Sequence, residues 1–263
     1  MESDIIIGIH SIIEALANPS RINSKIFCTD KGKSLLLEAL KSNKSISSYE
    51  IVIMDLQNLN KNFDKKIKDQ GWAATATTIP SQIFLETSTL KIYDSSMLLK
   101  ELNEMRKLKK IAKLFALDNV SDVHNGAAIL RTAAFFGVDA LIMSLKGTFG
   151  LTPSFYRIAS GSTEYVKLVK SVNLSRFLSE LQNEKIECIG FSERADCDEI
   201  SNHDFNFMHN DYLGRCLVLG SEDKGLSNAV ERVLRKKVSF ASKGKIETLN
   251  VSVAAALAME KYF

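Results

Sequence analysis

The chain has 263 residues, of which 45% are hydrophobic and 25% charged, and its formal net charge is +3. This composition is typical of a soluble globular protein, and the weak positive charge permits an RNA partner without requiring one. No apolar run reaches the roughly 20 residues of a membrane span, the N-terminus lacks the basic region of a signal peptide, and the four cysteines form no C-x-x-C pair. We therefore expect a cytoplasmic protein without a disulfide framework or a metal site.

The first 80 residues show short strands and helices in alternation. A helix is predicted over 8–17, entered after a glycine and with apolar positions at helical spacing. Buried strands are predicted at 25–28 and 51–54 with a helix at 34–40 between them, and the β-branched run 72–79 indicates a last strand. This alternation predicts a small α/β layer.

The segment that follows is less patterned and ends in a charged helical stretch at 98–110. We interpret 85–110 as a linker. It would separate a first domain, 1–84, from a second domain, 111–263.

The second domain repeats a strand–helix–strand pattern. Strands are predicted at 112–117, 140–144, 187–191, 216–219 and 237–240, and helices within 121–136 and at 174–182, 226–235 and 250–262. Such repeats predict a parallel sheet covered on both faces, in which ligands bind at loops after the carboxyl ends of strands.

One of these loops, Gly-Ser-Glu-Asp-Lys-Gly at 220–225, has the glycine spacing of a phosphate loop to within one residue. A phosphate loop needs Lys followed by Ser or Thr after the second glycine, but Leu226 and Ser227 stand there. The G-x-G-x-x-G fingerprint of dinucleotide sites is also absent. What remains is a glycine-hinged loop that presents Glu222, or a tight turn in which that charge favours the start of the next helix.

Three further polar side chains lie at predicted loops. Asn125 and Arg131 follow the strand at 112–117, and Arg131 is suited to hold a phosphate or a developing oxyanion. An arginine at the surface paired with a carboxylate is the alternative. Asn250 opens the last helix, where it could also act as the N-cap.

Taken together, three elements resemble the SpoU family of RNA 2′-O-ribose methyltransferases, in the SPOUT superfamily. The elements are Asn-x-Gly-Ala-x-x-Arg-Thr-Ala at 125–133, Gly-Ser-Glu-x-x-Gly-Leu at 220–226 and Thr-Leu-Asn-Val-Ser-Val-Ala at 248–254, in the family's order. The start of the chain, with Gly8, His10 and a Glu-Ala-Leu at 14–16, is similar to the substrate-binding domain of many members.

The resemblance implies an α/β fold, in which a trefoil-knotted SPOUT domain with a parallel sheet follows a small RNA-binding domain. It also implies S-adenosylmethionine as cofactor, RNA as partner, and a homodimer with the active site beside the interface. By the same resemblance, the cofactor contacts are Gly220, Phe240 and Leu249. The residues of the catalytic pocket would be Asn125, Arg131, Glu222, Thr248 and Asn250.

The chain departs from the family pattern at four places. Thr248 replaces a serine, Val123 a proline and Ala127 a glycine, and Phe-Ala-Ser at 240–242 stands where Ile-Pro-Met is usual. These positions bear on the geometry of cofactor and substrate.

The first hypothesis is therefore methyl transfer to a ribose 2′-hydroxyl, with Arg131 binding a phosphate and stabilising the forming alkoxide. A non-catalytic RNA-binding protein on the same fold is the second, and a nucleotide hydrolase loses its support at Leu226. The layout of two domains is more similar to enzymes acting on a guanosine of large-subunit ribosomal RNA than to the shorter transfer-RNA enzymes. The candidate RNA contacts of the first domain are Arg21, Lys25, Lys31 and Lys33.

Overall fold

The computed structural model describes the residues in the ranges 3–41, 46–72, 79–192, 198–199, 212–240, 242, 244–246 and 248–263. The chain divides into two compact units. The first unit contains Met1–Lys91 and Gly150–Tyr165, and the second contains Ile92–Phe149 and Val166–Phe263.

The strands and helices of both units have the following bounds. The strands are β1 (Ser3–Ile7), β2 (Ser24–Cys28), β3 (Tyr49–Ile53), β4 (Ile83–Ser88), β5 (Tyr93–Asp94), β6 (Ala112–Asp118), β7 (Ala140–Ser144), β8 (Lys167–Ser171), β9 (Ile186–Phe191), β10 (Asp198–Glu199), β11 (Gly214–Gly220) and β12 (Lys236–Ser239). The α-helices are α1 (Ile9–Ala17), α2 (Asp30–Leu40), α3 (Leu56–Asp69), α4 (Ser95–Lys107), α5 (Val123–Phe135), α6 (Pro153–Ala159), α7 (Leu174–Asn183), α8 (Asn228–Val233) and α9 (Val251–Tyr262).

The first unit is built on a mixed sheet in the order β1-β4-β2-β3. Strand β4 pairs antiparallel with both β1 and β2, whereas β2 and β3 are parallel. Helix α1 begins after Gly8, whose φ of 93° favours glycine, and it buries one apolar face that includes Ile12 and Leu16. The predicted helix over 8–17 is confirmed.

Arg21 lies inside this unit, so its prediction as an RNA contact is wrong. The residue is only 2% exposed, and its guanidinium donates to the carboxylates of Asp4 at 2.5 Å and Glu164 at 2.7 Å. It also donates to the backbone oxygen of Ser88 at 2.7 Å. A buried guanidinium needs such partners because an unpaired charge in the interior is costly.

The second unit is built on a parallel sheet in the order β10-β12-β9-β11-β6-β7-β8-β5. All seven residues of β11 are buried, and this strand pairs with β6 on one side and β9 on the other. The apolar run at 216–219 within β11 is typical of the centre of a parallel sheet, because helices cover both faces of such a sheet. The strands predicted for this domain are confirmed within a few residues.

The segment 85–110 differs from the predicted linker because the two units share it. Residues 83–88 form β4, a central strand of the first sheet, whereas β5 and α4 belong to the second unit. The boundary of the first unit therefore lies at Lys91, and Gly150–Tyr165 also belongs to that unit.

Seven elements of the described ranges were not predicted from the sequence pattern, namely β1, α3, β4, β5, α6, β8 and β10. Most of the strand predicted at 72–79 lies outside the described residues, since these stop at Trp72 and resume at Ile79. None of the helices in the described ranges is long and apolar enough to span a bilayer.

Candidate active site

A cavity of about 340 Å³ lies at the carboxyl edge of the second sheet. It is lined by the loop after β11, by Phe191 at the end of β9, by Phe240 after β12, and by Thr248 and Leu249 before α9. Its volume falls in the range of about 300–1,000 Å³ typical of small-molecule sites. The cavity therefore lies where the topology of a parallel sheet favours ligand binding.

The glycines of the loop after β11 are required by its geometry. A Cβ atom on Gly220 would lie 2.0 Å from the backbone carbon of Gly225 and 2.2 Å from the backbone nitrogen of Leu226. Ser221 and Gly225 exchange two backbone hydrogen bonds, and Gly225 has a φ of 64°. The loop is thus folded onto itself, and it lines the cavity.

A chain of hydrogen bonds joins the three sequence elements at the rim of the cavity. Asn250 Nδ2 donates to Asn125 Oδ1 at 3.1 Å, and Asn125 Nδ2 donates to Glu222 Oε1. Glu222 lines the cavity itself. Residues separated by about 100 positions in sequence are therefore brought together as their spacing at loop positions predicted.

Helix capping orients two members of this chain. Asp122 caps α5 by accepting from the backbone N–H of Asn125 at 2.7 Å. Asn250 caps α9 by accepting from the backbone N–H of Ser252 at 2.9 Å. The N-cap interpretation of Asn250 is therefore confirmed, and the same side chain still donates to Asn125.

Glu222 lies in an environment that disfavours its charge. Desolvation raises the pKa of this carboxyl, the nearby Asp122 and Asp223 carboxylates raise it further, and the hydrogen bond from Asn125 lowers it. Glu222 Oε2 accepts no hydrogen bond from the described residues and so remains able to accept one from a ligand.

Arg131 is not part of the hydrogen-bonded chain. It follows Asn125 by six residues on α5, which places it about 240° further around the helix. Its side chain is exposed, on the same face of α5 as Phe135, which is 85% exposed. Arg131 and Asn125 therefore face different sides of α5.

The apolar wall of the cavity contains one residue that sequence analysis missed. Phe191 stacks on Phe240, with ring centroids 5.4 Å apart and planes 23° apart, and contacts Tyr262 edge-on at 5.7 Å. Phe191 ends a predicted strand, so its position at the carboxyl edge was the available signal. Phe240 and Leu249 line the same cavity, as does Thr248.

The sequence of the chain is similar to those of known RNA methyltransferases. The sequence profile of the SpoU rRNA methylase family matches residues 112–260, which is more than half of the chain. A "Putative TrmH family tRNA/rRNA methyltransferase" of Staphylococcus epidermidis is 25% identical over 264 residues, covering 100% of this chain and 96% of that protein. The 23S rRNA (guanosine-2′-O-)-methyltransferase RlmB of Acinetobacter baylyi is 32% identical over 161 residues, covering 61% of this chain and 62% of that protein.

Solved structures share the fold over almost the whole chain. The SpoU methyltransferase AviRb of Streptomyces viridochromogenes, solved with AdoMet, superposes with a TM-score of 0.70 at 18% identity, over 98% of this chain and 88% of that one. An AdoMet-bound rRNA methyltransferase of Sinorhizobium meliloti gives 0.65 at 15% identity, over 98% and 86%. Because the family profile spans more than half of the chain and includes the loops of the site, the chain belongs to the SpoU rRNA methylase family and is an RNA methyltransferase.

Proposed function

We propose that the protein transfers a methyl group from S-adenosylmethionine to a ribose 2′-hydroxyl of RNA, at a guanosine of large-subunit ribosomal RNA. The observation that supports this most strongly is the hydrogen-bonded chain Asn250–Asn125–Glu222 at the rim of the cavity. It combines one residue from each of the three sequence elements that identify the family.

The cavity suits S-adenosylmethionine in size and in chemistry. The folded loop 220–225 offers backbone groups to the polar parts of the cofactor, and Phe240 and Leu249 offer apolar surface to its flat base. A side chain at position 220 would clash with the backbone of Gly225, so the close approach of these two residues in the wall of the cavity requires glycine. We assign Gly220, Phe240 and Leu249 as cofactor contacts.

The residues around the cavity then orient the acceptor and stabilise charge. When bound, the cofactor supplies a methyl group already activated by the positive sulfur. Glu222 Oε2 accepts a hydrogen bond from a ribose hydroxyl, and it takes up that proton as the 2′-oxygen bonds to the methyl carbon and the bond from this carbon to the sulfur breaks. Asn125 and Asn250 hold Glu222 in place. Thr248 contributes its hydroxyl to the same wall.

Arg131 has a different task. An arginine side chain stays protonated in proteins and has no site to accept a proton, so it does not act as a base. It binds a phosphate of the RNA and stabilises the negative charge that develops on the 2′-oxygen.

A homodimer explains why Arg131 lies away from the cavity of its own chain. The exposed surface of α5 and α9 carries Arg131 together with large apolar side chains, since Phe135, Val253 and Leu257 are 85%, 47% and 40% exposed. Helices α5 and α9 pack against each other, so these side chains can form one apolar surface. We infer that two copies associate there and that Arg131 completes the site of the other copy, within the trefoil-knotted fold of the SPOUT superfamily.

Mixing two inactive variants tests this inference. If Arg131 acts across the dimer, mixed dimers of the Arg131→Ala and Glu222→Ala chains contain one complete site, and a random mixture recovers about a quarter of the wild-type sites. If Arg131 acts within its own chain, the mixture stays as inactive as either variant.

The first unit is proposed to bind the RNA substrate. Lys31 is exposed, Lys33 is half-buried, and Lys25 is half-buried with its ammonium 3.2 Å from Glu50, so Lys31 is the strongest of the remaining candidates. Transfer RNA is the alternative substrate.

Activity on RNA is the direct experiment for the proposed function. The purified protein is incubated with methyl-labelled S-adenosylmethionine and either ribosomal or transfer RNA, and the nucleosides are identified by mass spectrometry. We expect 2′-O-methylguanosine from ribosomal RNA. A methyl group on a base, or binding of both ligands without transfer, contradicts the proposal.

A further inference from the structure

Asp118 is a buried carboxylate at the carboxyl edge of the second sheet for which the proposed mechanism has no role. It is the last residue of β6, it is 3% exposed, and it lies opposite Gly220 in the register of β6 and β11. It stands outside the three sequence elements that identify the family. A charged group is rarely left in such a position unless its hydrogen bonds are made.

Both oxygens of this carboxylate accept a hydrogen bond. Asp118 Oδ2 accepts from the backbone N–H of Ser227 at 2.7 Å, and Oδ1 accepts from Asn119 Nδ2 at 2.8 Å. Ser227 is the N-cap of α8 and directly follows the glycine loop. Asp118 therefore links the end of the β11–α8 loop to the end of β6 through a hydrogen bond.

Asp118 also precedes the other loop of the site, which connects β6 to α5. Asn119 has a φ of 58°, in the left-handed region that asparagine tolerates, and its backbone N–H donates to Ser144 Oγ at 3.1 Å. The chain then runs to Asp122, which caps α5 and fixes Asn125. Asp118 is thus shared by the bases of two loops whose tips meet in the hydrogen bond between Asn125 and Glu222.

We propose that Asp118 is a positioning residue, which holds the β6–α5 and β11–α8 loops at the separation that shapes the cofactor cavity and lets Asn125 meet Glu222. This inference rests on the proposed function, because the cavity is taken to bind S-adenosylmethionine. Asp118 acts through Ser227 and Asn119 rather than by touching the reacting atoms. Its substitution should accordingly affect cofactor binding and the rate of transfer more than RNA binding.

The first test compares Asp118→Ala with the wild-type protein by calorimetry with S-adenosylmethionine and by steady-state kinetics. Loss of a charge-assisted hydrogen bond at a buried position corresponds to a reduction of about tenfold or more in cofactor affinity. We expect this loss together with a lower kcat and an unchanged KM for RNA.

The matched control is Asp139→Ala, because Asp139 precedes β7 and accepts a hydrogen bond at the opposite end of β6. Asp139 Oδ2 accepts from the backbone N–H of Lys113 at 2.8 Å, near the start of β6 and away from the site loops. This variant should lower the midpoint of thermal unfolding without changing cofactor affinity. Equal losses of affinity in both variants would mean that Asp118 has only a general structural role, and would overturn the inference.

A rescue variant separates positioning from folding. In Asp118→Asn alone, the new amide can still accept from Ser227 N–H, but its amino group faces that of Asn119. Adding Asn119→Asp supplies an acceptor for that amino group, so the double variant should regain cofactor affinity to within about threefold of the wild type. This comparison remains informative if Asp118→Ala does not fold.

The outcomes for the proposed function and for this inference are distinct. If the wild-type protein does not bind S-adenosylmethionine, the proposed function fails and the inference fails with it. If the wild type binds and Asp118→Ala binds within about twofold of it, only the inference is overturned.

Discussion

The two units use clustered polar side chains in opposite ways. In the first, the Arg21 guanidinium is buried, and it donates to two carboxylates and a backbone oxygen. In the second, Asn125, Glu222 and Asn250 are linked to each other at a cavity rim, and Glu222 keeps one oxygen able to accept. A cluster whose hydrogen bonds are made inside the fold contributes to stability, whereas a cluster open to a cavity serves a ligand.

The largest expected effect is on stability, at the buried cluster around Arg21 in the first unit. Arg21→Ala leaves the carboxylates of Asp4 and Glu164 buried without their cation, and should lower the free energy of unfolding by about 3–5 kcal/mol. The control Lys25→Ala removes an ion pair that is partly exposed to solvent, and should change the free energy of unfolding by less than about 1 kcal/mol. Denaturant unfolding measures both variants. Equal small losses would remove the contrast between the two units.

Arg131→Ala should have the second largest effect, on activity alone. We expect the rate of methyl transfer to fall about 100- to 1,000-fold, because charge on the 2′-oxygen loses its stabilising partner. The free energy of unfolding should change by less than about 0.5 kcal/mol, since the side chain is exposed. Arg176→Ala, at an exposed arginine of α7, is the control and should retain full activity. Near-normal methylation by Arg131→Ala would refute its assignment.

A smaller effect is expected at the glycine loop. Gly220→Ala places a methyl group against the backbone of Gly225, and the displacement should weaken cofactor binding about tenfold or more. Gly244→Ala is the matched control because nothing lies within 4 Å of its added Cβ atom. Calorimetry with S-adenosylmethionine compares the two. Unchanged affinity in Gly220→Ala would show that the loop does not shape the cofactor site.

The smallest effect concerns the dependence of stability on pH. The pKa of Glu222 is raised in the folded protein, so the folded state holds this proton to a higher pH than the unfolded state does. Stability from this group is therefore present at low pH and is lost as the pH rises through the folded pKa. Unfolding measured from about pH 4 to pH 8 should show a shallower decline in Glu222→Gln than in the wild type. An identical decline in the two proteins would contradict the raised pKa.

Sequence patterns predicted the second unit better than the first. Buried parallel strands are continuous apolar runs between turn residues, so β6, β7, β9, β11 and β12 were each found. Strand β4 was missed because it lies in the weakly patterned segment between the strand predicted at 72–79 and the charged helical stretch at 98–110. Its neighbours in the sheet are distant in sequence, and local pattern does not report such pairing.

The site shows the same division between local and long-range information. Asn125, Glu222 and Asn250 were found because each follows a strand or opens a helix, and parallel strands bring those positions to one edge. The side of α5 that Arg131 faces follows from the 100° turn per residue of a helix and not from its distance to Asn125 along the chain. The burial of Arg21 depends on Glu164, which lies 143 residues away, and no local pattern contains that contact.

Methylation of ribose by this site can be tested directly in one experiment. RNA treated with the wild-type protein and labelled S-adenosylmethionine is digested to nucleosides, alongside RNA treated with Asn250→Ala. We expect label in 2′-O-methylated nucleosides with the wild type and a loss of about 100-fold in the variant. Label on a base, or equal labelling by both proteins, would contradict it.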